Sequence, residues 1–224
     1  QGLRPVVEPR RRARAIHSAM AAADAAGGAA PGACEVGQMP GQLTAKEAAT
    51  RDFQTFLDLL PSGPEPAIHS TDGRRPLSFA GLHSLAGHLD VAAFGVGRAD
   101  RLCVVLPNGP ESASAFLALS TQCVYAPLNM RLTQAELAFE LEDLPARAVV
   151  VQAVTVEGGK PKAVDSSCVI KVARQMDVPI LQLTPDLEEC GRFALAWHEE
   201  SPRRLQPQAR TAAGRGDLAV GLHT

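Results

Sequence analysis

Residues 100–151 constrain the fold more than any other part of the chain. Uninterrupted apolar runs at 102–106, 123–126 and 148–151 alternate with stretches whose apolar residues return every three or four positions. A run that is apolar at every position suits a strand buried on both faces, the condition of a parallel sheet under crossover helices. The rhythm of strand, helix, strand, helix, strand therefore predicts an α/β protein: parallel-sheet layers with flanking helices.

Local signals fill in the elements. Thr44 and Glu47 fit a capping box, and Phe53, Phe56, Leu57 and Leu60 then share one helical face. Asp72 and Gly73 lie between segments 67–70 and 76–79 and predict a hairpin. Ser78 caps the next helix, whose stripe is Leu82, Leu85, Leu89 and Ala93, and Gly95-Val96-Gly97 closes it. Asn108 with Glu111 reads as the cap and box partner of a further helix, with Ala113, Phe116 and Leu117 facing inward. Pro127 ends the strand at 123–126. Thr133 with Glu136 forms the next box, stapled by Leu132 and Leu137, and Leu137, Phe139, Leu141 and Leu144 supply the buried face. Residues 152–162 read as a Gly/Lys-rich loop. Val164, Cys168, Val172 and Met176 form a helical stripe, and 178–183 a strand. Residues 184–215 are polar and read as an exposed excursion, and 217–222 as one more buried strand.

The first 42 residues differ in kind. Arg4, Arg10, Arg11, Arg12 and Arg14 precede an Ala/Gly-rich stretch without aromatics, too poor in apolar mass to build a core. Residues 1–42 are therefore expected to be a disordered or transit-like lead-in, and 43–224 the folded part. A basic arm for nucleic acid is a third reading of that lead-in, an unspecific one.

Composition narrows the function classes. A net charge of −2 and 4% aromatics give no basic, base-stacking surface, so no nucleic-acid partner is expected. No apolar run is long enough to span a bilayer. The five cysteines, at 34, 103, 123, 168 and 190, form no Cys-x-x-Cys pair and read as reduced thiols of an intracellular, cytoplasmic protein, with organelle or peroxisomal import left open.

No reacting constellation emerges from residue chemistry. Gly95 and Gly97 come after a helix and before a strand, the reverse of a dinucleotide-binding turn, and Asp100 stands where its third glycine would be. His83 and His88 do not share a helix face as metal ligands would, and no His-Glu-x-x-His, Gly-x-Ser-x-Gly or complete phosphate loop occurs. The acidic pairs Glu142-Asp143, Glu188-Glu189 and Glu199-Glu200 read as solvated charge. No catalytic residue and no metal ligand is assigned.

The wording of the turns carries a resemblance. Asp100-Arg101-Leu102, Leu106-Pro107-Asn108-Gly109-Pro110-Glu111, Phe116-Leu117-Ala118, Tyr125-Ala126-Pro127-Leu128-Asn129 and Leu132-Thr133-x-x-Glu136-Leu137 follow one another in the order found in adenylate-forming acyl-CoA synthetases. The chain resembles the amino-terminal part of that AMP-dependent synthetase/ligase family over about residues 50–151 and again over 217–224. Ala99 and Gly81 depart from the family pattern. The resemblance implies an ATP-dependent acyl-CoA ligase, which turns a carboxylate and ATP into an acyl-adenylate and then a thioester with coenzyme A, with Mg2+ as the nucleotide's metal. It also implies that Thr224 is the first residue of the phosphate loop Thr-Ser-Gly-Thr-Thr-Gly-x-Pro-Lys, placed after the strand at 217–222. On that reading the 224 residues stop before the loop and are inactive alone. The Leu222-His223-Thr224 lead-in is similar to the oxalate–CoA ligase branch and points to a small carboxylate. The alternative is a non-catalytic α/β module with an interaction role.

Overall fold

The computed structural model describes residues 55–214 and 216–222. Its centre is a five-stranded sheet in the order β4-β3-β5-β8-β9, formed by β3 (Arg101–Val105), β4 (Val124–Pro127), β5 (Ala146–Gln152), β8 (Ile180–Pro185) and β9 (Phe193–Trp197). The first four strands run parallel and β9 is antiparallel to β8. Helices α1 (Phe79–His88) and α2 (Pro110–Leu119) cover one face, α3 (Gln134–Asp143) and α4 (Ser167–Gln175) the other. Leu102, Val104, Ala148 and Val150 point into the first core, and Cys103, Val105, Val149 and Val151 into the second. Both faces of these strands are dry, which is why their sequences are apolar without alternation.

Two hairpins flank the sheet. β1 (Pro66–Ile68) and β2 (Leu77–Ser78) pair around the expected Asp72-Gly73 turn. β6 (Val154–Glu157) and β7 (Lys160–Ala163) pair where a loop was expected. Gly158 and Gly159 connect them with φ of +56° and +72°, the two left-handed residues of a tight hairpin turn.

Several boundaries shift. The Thr44/Glu47 cap, Phe53 and the lead-in lie outside the described residues. Phe56–Leu59 forms a short 3-10 turn rather than a continuing helix, and the Asp58 carboxylate accepts the Thr55 N–H at 2.7 Å across its start. Ser78 does cap α1, its hydroxyl accepting the Gly81 N–H at 3.0 Å. That helix ends at His88, and Gly95 (φ +70°) closes a separate 3-10 turn, Ala92–Phe94, in which Ala93 is exposed. Ser114, Ala115, Ala118 and Leu119 form the buried face of α2, and Ala113 points outward. Thr133 and Glu136 cap α3 reciprocally, as the sequence requires, and Leu137, Leu141 and Leu144 are buried while Phe139 is exposed. In α4 the buried residues are Val169, Val172 and Ala173. Val164 precedes the helix and Cys168 is half-buried.

The 184–215 segment is not a bare excursion. It contains β9 and the fully buried Cys190, and it returns through Gln208, whose amide donates to Gly95 O at 2.8 Å. The expected strand at 217–222 is not buried. It meets the sheet through one parallel bridge, Tyr125 with Val220, and Leu218 and Leu222 are 53% and 68% exposed. No helix of the described residues is long and apolar enough to cross a membrane.

Candidate functional site

Strand order places the site. From β3 the chain crosses to β4 on one side and then to β5 on the other, so its direction of winding reverses at β3. Ligands of open α/β sheets enter at the carboxyl ends of the strands; the reversal itself lies between β3 and β5, and the crevice opens beside it, at β3 and β4. Here the carboxyl ends of β3 and β4 run into the turns Leu106-Pro107-Asn108 and Pro127-Leu128-Asn129, which with Arg131 line a crevice of about 500 Å3. The Asn129 carboxamide oxygen accepts the Arg131 N–H at 2.9 Å, and Leu132 N–H donates to Asn129 O at 3.2 Å, so the second turn is held by its own side chain. Asn108, Asn129 and Arg131 are exposed to the opening.

The 217–222 segment runs to the same edge. Tyr125 N–H donates to Ala219 O at 2.9 Å and Gly221 N–H to Tyr125 O at 3.0 Å. The next bond of that ladder would need an N–H from Pro127, which has none, so pairing ends there. Because the bridge is parallel, the segment is directed toward the Asn108 and Asn129 turns. Thr224, assigned to the phosphate loop, lies outside the described residues.

Behind the crevice sits a buried ionic cluster that sequence reading missed. Asn108 does not cap α2. Gly109 takes that position and Pro110 opens the helix. Glu111 is turned inward instead. Its Oε1 accepts Arg74 Nη1 at 2.6 Å and the Gly191 N–H at 3.1 Å. Arg74 also donates to Asp72 Oδ2 through Nη2 at 2.6 Å and to Asp186 O at 2.9 Å. Only 2% of the Arg74 side chain and 3% of that of Glu111 is exposed. One guanidinium thus ties the β1–β2 loop, the start of α2 and the loop before β9. Burial by itself would raise the Asp72 pKa, but hydrogen bonds and charge from Arg74 outweigh it and hold the carboxyl down at about 2. Burial would lower the Arg74 pKa, and the two carboxylates hold it above its usual value. In sequence, Asn108-x-x-Glu111 is indistinguishable from a capping box. The signal that could have separated them is an arginine just after a tight turn, Asp72-Gly73-Arg74, which must find acids once the hairpin packs.

Three of the described thiols, Cys103, Cys123 and Cys190, are buried. Cys103 and Cys123 are fully buried, and burial pushes each up to about 12. Burial likewise raises Tyr125 to about 12, partly opposed by a hydrogen bond from Ser112. His83 meets Pro61 O and His88 meets Ser84 O, each through one ring nitrogen, so the structure brings neither toward the crevice. Of the acidic pairs, Glu188, Glu189 and Glu200 meet Arg75, Arg192 and Arg174.

Residues 65–224 match the AMP-binding enzyme family. The chain belongs to that family. Among solved structures it is similar to apo MatB from Rhodopseudomonas palustris, with 24% identity over 73% of this chain and 30% of that chain and a TM-score of 0.49. ATP-bound MatB from the same organism gives 25% identity with the same coverage and TM-score. IdnL1 gives 17% identity over 70% of this chain and 28% of that one, with a TM-score of 0.46. The chain therefore spans about 30% of the length of the MatB structures it matches. Family membership accounts for the shared wording of the turns around the crevice.

Proposed function

We propose that this AMP-binding family protein serves an acid–thiol ligase: it activates a small carboxylate with ATP to an acyl-adenylate and pyrophosphate, and the acyl group then passes to the thiol of coenzyme A. The observation that carries the reading is the family match over residues 65–224, in a chain whose 217–222 segment is directed to the carboxyl edge of the sheet. Bound ATP with Mg2+ would supply the adenylyl group that makes the carboxylate reactive, pyrophosphate being released. The described residues fit the outer wall of such a site and not its phosphate cradle. Asn108, Asn129 and Arg131 offer amide and guanidinium donors at the crevice, while the glycine-rich loop is assigned to Thr224 and the family residues that come after it. The work of this part of the chain is to bring the 217–222 segment to the sheet edge, while the Arg74–Glu111 tie holds the start of α2 that follows the Asn108 turn. The similarity of Leu222-His223-Thr224 to the oxalate–CoA ligase branch supports a short dicarboxylate as substrate. A cytoplasmic location accords with the free thiols at Cys103, Cys123, Cys168 and Cys190.

The test is thioester formation by the native protein with ATP, coenzyme A and a panel of carboxylates of two to six carbons, with oxalate included. Acyl-CoA and AMP in equal amounts are expected. ADP in place of AMP refutes the adenylate route.

A further inference from the structure

The 217–222 segment runs to the crevice, yet little in its own composition says where along β4 it should stop. Among the described residues its backbone bonds to the sheet at Tyr125 alone, through Ala219 O and the Gly221 N–H. Leu218, Val220 and Leu222 alternate along it, so a slip of two residues puts a leucine where Val220 stands and keeps the apolar side chains on the same face. Gly221 lies close to Val124, but a Cβ added there would stand 3.4 Å from Val124 Cγ1, an ordinary contact, so Ala219 could take the same place. At about 3.3 Å per residue such a slip moves the chain by about 6.6 Å, roughly twice the length of a hydrogen bond.

A charge pair at the opposite end of the sheet removes this ambiguity. Arg98 precedes β3, and only 11% of its side chain is exposed. Its Nη1 donates to Ser120 O at 3.4 Å, at the carboxyl end of α2, where an open carbonyl and the helix dipole favour a cation. Its Nε donates to Asp217 Oδ2 at 3.0 Å. The same oxygen accepts the Gly214 N–H at 2.7 Å, and Asp217 N–H donates to Gly214 O at 3.1 Å, so the carboxylate is fixed to the backbone of its own turn. Asp217 is the one acid in residues 201–224, so no other carboxylate can meet Arg98 in a slipped register. We propose that Arg98 is a positioning residue for nucleotide binding: by pairing with Asp217 it fixes which residue of the segment meets Tyr125, and so sets where the phosphate-binding residues beyond the segment stand at the crevice. This role rests on the acid–thiol ligase reading.

Arg98→Met, Asp217→Ala and the charge-conserving Arg98→Lys, each made in the native protein, test the role. Amide hydrogen exchange at Tyr125 and Gly221, the two donors of the bridge, should speed up about tenfold in Arg98→Met and Asp217→Ala, while Val149 at the centre of the sheet keeps its native rate. Arg98→Lys should recover most of the lost protection. In carboxylate-dependent pyrophosphate exchange the KM for ATP should rise about tenfold in Arg98→Met and Asp217→Ala, with the KM for the carboxylate unchanged. Transfer of the acyl group from supplied acyl-adenylate to coenzyme A should keep its native rate. Native exchange rates at Tyr125 and Gly221 in Arg98→Met overturn the proposal. Faster exchange with an unchanged KM for ATP overturns it too, as does an equal loss in both half-reactions. A native protein inactive in both half-reactions overturns the ligase reading and the nucleotide role with it, while the amide rates decide by themselves whether Arg98 anchors the segment.

Discussion

Removing the Glu111 carboxylate by Glu111→Ala leaves the Arg74 guanidinium buried with Asp72 as its one remaining carboxylate and strips the Gly191 N–H of its acceptor. Breaking a buried pair costs about 3–5 kcal/mol when the charge left behind is uncompensated; Arg74 keeps Asp72, so the lower end, about 3 kcal/mol, is expected. A domain of this size has only about 5–15 kcal/mol of stability, so the loss is large but leaves a measurable transition. With a urea m-value of about 2 kcal/mol per M, the midpoint should fall by about 1.5 M. Trp197, the single tryptophan, reports unfolding by its fluorescence. Arg74→Met should cost a similar amount, because it leaves two carboxylates buried without their cation. The triple variant Asp72→Asn/Arg74→Met/Glu111→Leu should cost far less than the sum, since it removes the cation together with both carboxylates. A Glu111→Ala midpoint within about 0.3 M of the native value, or strictly additive single effects, would refute the role given to the cluster.

Three further outcomes are expected. Asp72 has a folded pKa of about 2, below the roughly 3.9 of an unfolded aspartate, so its contribution of about 2 kcal/mol is present above pH 4 and lost as pH falls toward 2; urea melts between pH 5 and pH 2 should show this slope, and Asp72→Asn should flatten it. Thr133→Ala should cost about 1 kcal/mol and Asn108→Ala almost nothing, because the first residue caps α3 and the second caps no helix; equal costs would contradict the assignment of the caps. At pH 8 a thiol reagent should label half-buried Cys168 well before Cys103 and Cys123, which burial holds near 12, and all three should react together in denaturant.

The elements legible in the sequence are those whose signal is local. The runs around Val104 and Val150 are apolar at every position because both faces are covered, and the Thr133–Glu136 box closes within one turn of helix. The features that escaped reading depend on distant partners or on brevity. Glu111 has the spacing of a cap but belongs to Arg74, 37 positions away. The 217–222 segment has the composition of a buried strand, yet it meets the sheet through the Tyr125–Val220 bridge and Pro127 ends the ladder after it, and Leu218 and Leu222 are exposed. β9 is five residues inside a polar stretch, too short to stand out by composition. The Gly158-Gly159 turn was there to be read. At the site, the turn wording carried the family, but nothing in Asn108 or Asn129 alone distinguishes a ligand-facing turn from a structural one. The shared place of both turns at the carboxyl ends of parallel β3 and β4 made that distinction.

Carboxylate-dependent exchange of labelled pyrophosphate into ATP, measured on the native protein, tests the central claim most directly. An adenylate-forming enzyme should exchange label with ATP, Mg2+ and a short carboxylate present, and fall to background when the acid is left out. Background exchange with every short carboxylate, in a preparation whose fold is intact by circular dichroism, would contradict it.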